Sequence, residues 1–253
     1  MTAASRLTAG LSQAPPKEWI DAHRRVWATK PVLRAVYQRW FQLLRERAAA
    51  GRIVEIGCGP GFFKAAYGDV IATDVTANPY ADCILDAAVL PFAAGSLGSI
   101  VMIDVFHHLP EPERFLREAE RVLRPGGRIV LVEPWIGVAG RLFWTYLHHE
   151  DCDPSVPPEA PWRGPSKDPM QGNAALPYLY FGAGGHAERL GLALRVTERQ
   201  AFAGLPWLLS GGFQPFSLFP AALGGAVERV DRLLSRLPRW TATRCLITLE
   251  RSA

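Results

Sequence analysis

An open α/β sheet with parallel central strands and right-handed crossovers is the fold class this sequence predicts, on three observations. Strand-like and helix-like runs alternate from residue 51 to about 135. The run Leu97 to Ile103 is apolar almost throughout, as a strand covered on both faces must be. The run Arg52 to Ile56 ends in Gly57-Cys58-Gly59-Pro60-Gly61. Three glycines at alternate positions let a backbone approach a ligand where a Cβ would clash. Ligands of open α/β sheets sit at the carboxyl ends of the strands, where this turn lies.

The elements follow in order. Residues 1–16 read as a loose tail. Lys17 to Ala28 reads as a helix, and Pro31 restarts another. In the second, Leu33, Val36, Tyr37, Trp40, Leu43 and Leu44 recur at helical spacing. That face either packs on the sheet or closes over a ligand. Val70 to Asp74 is the second strand. Only thirteen positions separate Gly61 from Asp74, so the helix between them is short. Asp82 to Ala87 is the third strand, and Leu97 to Ile103, the fourth, leads into Asp104-Val105-Phe106-His107-His108-Leu109. Glu111 to Arg124 is a helix with Pro112 in its first turn and Phe115, Leu116, Ala119, Val122 and Leu123 on one face. Pro125-Gly126-Gly127 stops it, and Arg128 to Val132 is the fifth strand.

Beyond the fifth strand, Leu142 to His149 reads as helical, and Asn173 to Phe181 as an ordered segment. A connection as long as 136–191 is expected to be a functional lid or an insertion. Its aromatics (Trp162, Tyr178, Tyr180, Phe181) favour a packed lid beside an acceptor. Leu192 to Gln200 is the sixth strand. Residues 201–227 carry no charge, and Pro206, Pro215 and Pro220 argue against a membrane-spanning helix. Three readings of that stretch stand: core, an apolar cover for a greasy acceptor, or a peripheral membrane patch. Val227, Val230, Leu233, Leu234 and Leu237 fall on one face of a further helix, and Ala242 to Glu250 is a last strand.

Composition excludes several classes. The chain of 253 residues is 49% apolar and 21% charged, which suits a globular protein and not a disordered one. The net charge of +4 is mild and almost wholly from arginine, with no dense basic run, so no nucleic-acid partner is expected. Cys58, Cys83, Cys152 and Cys245 form no C-x-x-C pair and no zinc spacing, which suits free thiols in a reducing cytosol. No apolar signal segment follows Arg6, so a cytoplasmic location is expected. Nothing in the sequence indicates an oligomeric state.

The spacing of the glycine loop separates two ligand types. A dinucleotide fingerprint is G-x-G-x-x-G. Here the third glycine comes one residue early, Phe62 takes the sixth position, and Pro60 removes an N–H that a phosphate needs. The loop suits a close-packed ligand without a pyrophosphate. Asp74, ending the second strand, is placed to accept from two ribose hydroxyls, or to be a turn residue before Thr76 and Asn78. Asp86 is placed for the adenine amine, or for a helix cap.

The run Glu55-Ile56-Gly57-Cys58-Gly59-Pro60-Gly61, the Asp86-to-Phe92 segment, His107-His108-Leu109-Pro110 and Arg121-Val122-Leu123-Arg124-Pro125-Gly126-Gly127-Arg128 together resemble class I S-adenosylmethionine-dependent methyltransferases of the type 11 group. The resemblance covers roughly residues 50–135. It implies a Rossmann-like seven-stranded mixed sheet, order 3-2-1-4-5-7-6, with the last strand antiparallel, flanked by helices and carrying a lid insertion after strand 5. It implies an N-terminal helical segment at 1–50 and a methyltransferase domain at 51–253, holding the 136–191 insertion and an apolar helical segment at 201–238. By resemblance Gly57, Gly59 and Gly61 pass the methionine part of S-adenosylmethionine, and Glu55 supports that loop. Asp74 takes the ribose, Asp86 and Ala87 the adenine, and Asp104 lies near the methionyl amine. Cys58 and Val75 stand with them as cofactor contacts, and S-adenosylhomocysteine is the product.

Methyl transfer is an in-line displacement at carbon, so the protein must mainly align an acceptor with the methyl group. An oxygen or nitrogen acceptor takes a base in addition, and His107 or His108, just beyond the fourth strand, is in range of that role. His148, His149, Glu150, Asp151 and Asp153 form a second cluster. Adjacent histidines cannot share a helix face, so the cluster reads as a solvated turn without a metal, with His149 a weaker base candidate. The expected acceptor is a small or lipid-like hydrophobic molecule, with peripheral membrane contact through 201–227 open. The alternatives are a non-catalytic S-adenosylmethionine-binding module and, against the glycine spacing, a nicotinamide-dependent oxidoreductase.

Overall fold

The computed structural model describes residues 16–161 and 171–252. The expected tail, except Pro16, and the aromatic Trp162 lie outside the described residues. Seven strands form one sheet in the order β3-β2-β1-β4-β5-β7-β6. They are β1 (Ile53–Ile56), β2 (Val70–Asp74), β3 (Cys83–Ile84), β4 (Leu97–Ile103), β5 (Leu123–Pro134), β6 (Leu194–Phe202) and β7 (Arg244–Arg251). Strands β1 to β5 are parallel, with Ile53 opposite both Val70 and Ser99. Strand β7 runs antiparallel to both β5 and β6, pairing Val130 with Thr248. From β1 the chain winds outward to β3, then returns to start β4 on the other side. The strand order therefore reverses between β1 and β4, which opens a crevice at their carboxyl ends.

Alternation along the strands sends neighbours to opposite faces. Val54, Ile56, Ile100, Met102, Ile129 and Leu131 build one core with Phe106, Phe115 and Leu116. Ile53, Val70, Val101, Val130 and Val132 build the other. The helix α2 (Pro31–Arg47) covers that second core through Leu33, Tyr37, Trp40, Phe41 and Leu44, so its apolar face packs as the spacing predicts. Helix α1 (Pro16–Thr29) precedes it, and the short α3 (Phe62–Ala66) joins β1 to β2.

Several boundaries move for local reasons. The third strand shrinks to two residues, because the Asp86 carboxylate turns back to accept from the Ala88 N–H at 2.8 Å. Helix α4 (Pro112–Val122) ends before Pro125, and the chain is already paired as β5 at Leu123. Helix α5 (Val138–Tyr146) starts earlier than its apolar run, straight after Gly137. Helix α6 (Leu176–Phe181) is core and not cover: Tyr180 and Phe181 are fully buried against Phe106. The short α7 (His186–Arg189) leads to β6.

Residues 201–227 divide. Helix α8 (Leu205–Ser210) opens with Pro206 in its first turn, and Trp207 and Phe213 pack on the second core. From Phe216 onward the apolar side chains turn outward, Phe219 excepted. Helix α9 (Gly224–Leu234) forms where the apolar spacing predicts, but its face is not buried: Val230 and Leu233 are exposed, as are Leu237 and Trp240 around α10 (Pro238–Thr241). The sheet face is already covered by α2 and α8, so no core is left for it to join. Among the described residues no helix is long and apolar enough to cross a membrane.

Candidate functional site

The glycine loop is forced by its backbone. Gly57, Gly59 and Gly61 have φ of +69°, +47° and +72°, a region that disfavours side chains. A Cβ on Gly57 would stand 2.5 Å from a Val105 methyl, and one on Gly61 2.7 Å from the Tyr80 Cβ. The loop is tied to β2 by the Cys58 N–H to the Thr73 carbonyl at 2.8 Å, and by the Gly59 N–H to Asp74 Oδ2 at 3.0 Å. Asp74 also accepts from the Thr76 N–H and hydroxyl and from Asn78 Nδ2, so the turn role and the position at the crevice coexist in one carboxylate. Val75 beside it is 56% exposed. Further along the same edge, Asp86 is exposed and Ala87 buried.

Under the loop, Glu55 is buried and its Oε2 has no hydrogen-bond partner. Burial, with help from the Asp74 charge, raises its carboxyl to about 8. Over the loop lies α1. Arg24 donates to the Pro60 carbonyl at 2.7 Å and stacks 4.1 Å from the Tyr80 ring, and the Trp19 ring lies over Gly59. His23, wedged against Trp19 and Phe213, is held neutral by burial, with its pKa near 3. The covering element over the crevice is thus α1, and the packing element is α2.

Asp104 closes the other side. Its φ of +56° makes it the non-glycine residue with positive φ among the described residues. Its carboxylate is bonded by Arg244, the first residue of β7, which is 1% exposed. Trp40, Trp144 and Trp207 surround that guanidinium at 5.1, 5.1 and 4.0 Å. Sequence reasoning missed Arg244, since an arginine flanking an apolar run reads as a strand end. A groove of about 970 Å³ between α2, β6, α8 and α9 shares Trp40 and Trp207 with this cage and lies away from the glycine loop.

The histidine pair sits in a one-turn 3₁₀ segment, Phe106–His108, after β4. Glu133, fully buried at the end of β5, accepts the Val105 and Phe106 N–H groups on Oε1 and binds His107 Nδ1 on Oε2 at 2.6 Å. His107 Nε2 faces Glu150 Oε2 at 3.1 Å. Burial opposes its charge, but Glu150 and Glu133 prevail and raise it to about 10. An imidazolium between two carboxylates has no lone pair to act as a base. His108 differs: burial and the neighbouring His107 charge lower its pKa, and its Nδ1–H donates to the Gln171 carbonyl at 3.2 Å. Its Nε2 therefore carries the lone pair, 3.6 Å from Glu150 Oε1.

The expected solvated turn at 148–153 is corrected here. The Glu150 side chain is only 11% exposed and is packed against His107 and His108, while burial holds His148 neutral, near 3. His149 stays at the rim, with Nε2 3.7 Å from Glu150 Oε1. The contact joins residues 43 apart in sequence, so no local pattern announces it.

Residues 54–131 match the family model described as a methyltransferase domain. Among curated relatives, 27-O-demethylrifamycin SV methyltransferase of Amycolatopsis mediterranei is 33% identical over 104 residues, 33% of this chain and 38% of that protein. Demethylmenaquinone methyltransferase of Renibacterium salmoninarum is 28% identical over 130 residues, 44% of this chain and 55% of that protein. The chain spans about half the length of the curated relatives it matches, or less. Two solved structures share the fold. A protein of Thermotoga maritima described as a possible histamine N-methyltransferase superposes with a TM-score of 0.55 at 16% identity, covering 93% of this chain and 97% of that one. Geranyl diphosphate C-methyltransferase of Streptomyces coelicolor, complexed with S-adenosylhomocysteine, gives 0.53 at 15%, covering 90% and 83%.

Proposed function

We propose that this chain, a class I S-adenosylmethionine-dependent methyltransferase by its domain and its sheet, methylates a small or lipid-like hydrophobic acceptor. The observation that supports the cofactor assignment is the bond from the Gly59 N–H to Asp74, which ties an acid at the end of β2 to the positive-φ glycine loop leaving β1. We assign to the buried Glu55 the support of that loop. Asp74 holds the ribose hydroxyls, and Asp86 with Ala87 the adenine edge. Arg244 engages Asp104 Oδ1, and we assign Oδ2 to the methionyl ammonium. Cys58 and Val75 complete the wall.

S-adenosylmethionine supplies the reactive methyl. The protein's part is to orient the acceptor along the line of displacement and to exclude water. Apolar surroundings are compatible with transfer to an anionic nucleophile, because the sulfonium charge disperses as the bond forms.

The outward-facing Leu218, Leu223, Leu233, Leu237 and Trp240 support a lipid-like acceptor. Arg229, Arg232, Arg236 and Arg239 are exposed among them. An apolar face set in arginine suits the surface of an anionic bilayer. Calorimetric titration with S-adenosylhomocysteine tests the cofactor assignment: binding that weakens at least tenfold in Asp74→Ala supports it, and no binding to folded wild type overturns it. Sedimentation with phosphatidylserine vesicles, wild type against Leu233→Asp, tests the surface. Methylation of polar compounds alone, in a panel holding lipids, quinones and polar amines, would refute the acceptor class.

A further inference from the structure

The Glu150 carboxylate lies within 4 Å of four imidazoles, and of these His107 and His108 meet it in a way that a proton satisfies only on one side. His107 Nε2 lies 3.1 Å from Oε2, and His108 Nε2 lies 3.6 Å from Oε1. The first pair shares a proton. The second brings a nitrogen lone pair against a carboxylate oxygen, since the proton of His108 is committed at Nδ1 to the Gln171 carbonyl. Two lone pairs facing each other call for a cation between them.

Both rings are aimed from behind. Glu133 holds His107 at Nδ1 and is itself fixed by two backbone N–H groups. The Gln171 carbonyl holds His108 at Nδ1. Gly172 lets that strand of chain approach, because a Cβ there would lie 2.8 Å from His108 Nδ1. A carboxylate or carbonyl on the far nitrogen is how proteins orient histidines that ligate metals by the near one.

We infer that His107, His108 and Glu150 form a binding site for one divalent transition-metal ion. One ligating atom of each lies within 4.8 Å of those of the other two. His107 Nε2 lies 3.1 Å from Oε2 and His108 Nε2 3.6 Å from Oε1, angles of about 100° and 120° at bonds of about 2.05 Å, so an ion between them takes the carboxylate through both oxygens, as a five-coordinate site allows. The ion takes the place of the proton between His107 and Glu150. Two imidazoles and one carboxylate favour Zn2+ or Fe2+ over Mg2+ or Ca2+, which prefer all-oxygen sites. Three protein ligands leave a position open for water or an oxygen donor. The inference does not rest on methyl transfer, and its test reads the metal directly.

Tag-free protein, stripped with chelator and checked by circular dichroism, is titrated with Zn2+, Co2+ and Mg2+ by calorimetry. Co2+ is also followed by its visible absorption. The expected result is one equivalent of Zn2+ and of Co2+ bound at micromolar affinity or tighter, little Mg2+, and d–d bands with cobalt. His108→Ala and Glu150→Gln each weaken binding at least tenfold. His186→Ala, which alters the Glu113-Glu159-His186 cluster instead, leaves it unchanged. Absence of Zn2+ and Co2+ binding by folded wild type overturns the inference, as does binding that both His108→Ala and Glu150→Gln retain. The His108 lone pair would then be free for proton transfer.

Discussion

Arg244 reaches across from β7 to bond Asp104 at the end of β4, its guanidinium buried beneath three tryptophans while the carboxylate stays 26% exposed. Removing one partner of a buried pair costs roughly 3–5 kcal/mol, and with the carboxylate partly in water the lower end applies, about 3 kcal/mol. Arg244→Met is expected to destabilise by that order in urea denaturation. Arg244→Lys keeps the charge but loses the planar stack on Trp207, and falls between the two. Equal midpoints for wild type and Arg244→Met would show that the pair contributes nothing to the fold.

Glu55 makes stability depend on pH in a stated direction. Its carboxyl titrates near 8 when folded and near the ordinary glutamate value when unfolded. Between about 4.5 and 8 the folded chain therefore holds a proton that the unfolded chain has released. Stability falls as pH rises through that window and levels off above it. Glu55→Gln removes this component. Relative to the variant, wild type is expected to lose on the order of a few kcal/mol between pH 5 and pH 8.5, measured by denaturant unfolding. Parallel profiles would refute the assignment.

Gly57 tests whether the loop's shape or merely its composition matters. Alanine there meets both a φ of +69° and a Val105 methyl at 2.5 Å. Gly57→Ala is expected to abolish S-adenosylhomocysteine binding while the far-ultraviolet spectrum is kept. Val105→Ala removes the clash but not the dihedral strain, so the double variant recovers part of the affinity. Full recovery would assign the defect to crowding alone.

The central sheet was legible because its physics is local. Runs such as Leu97 to Ile103 are short and apolar almost throughout, the pattern of a strand covered on both faces. The glycine spacing was legible for the same reason. What failed was information carried by packing between distant segments. Glu150 looks like part of a charged turn until His107 is brought to it. Arg244 looks like a strand flank until Trp40, Trp144 and Trp207 converge on it from three helices. The helical face at Val230 and Leu233 was legible as periodic, but its exposure was not, since periodicity states that a face is apolar and not what covers it.

Lys30 fixes the boundary between the part of 201–227 that packs and the part that does not. It stands between α1 and α2, is buried, and donates from Nζ to the Gly212 carbonyl at 2.7 Å and the Gln214 carbonyl at 2.9 Å. Phe213, between those two acceptors, packs on His23 and Tyr37, so the same contact seats α1 over the glycine loop. Lys30→Met keeps the aliphatic stem and leaves two carbonyls without their donor. About 1–3 kcal/mol of stability is expected to be lost for the buried acceptors. The more telling readout is local: amide exchange and protease cleavage around 211–217 are expected to accelerate in Lys30→Met, while exchange in β4 and β5 stays at the rate set by global unfolding. A uniform change across the chain would mean that Lys30 supports the fold as a whole. Confinement to 211–217 and α1 would mean that the cover over the crevice opens as one unit with the segment that carries the exposed apolar face.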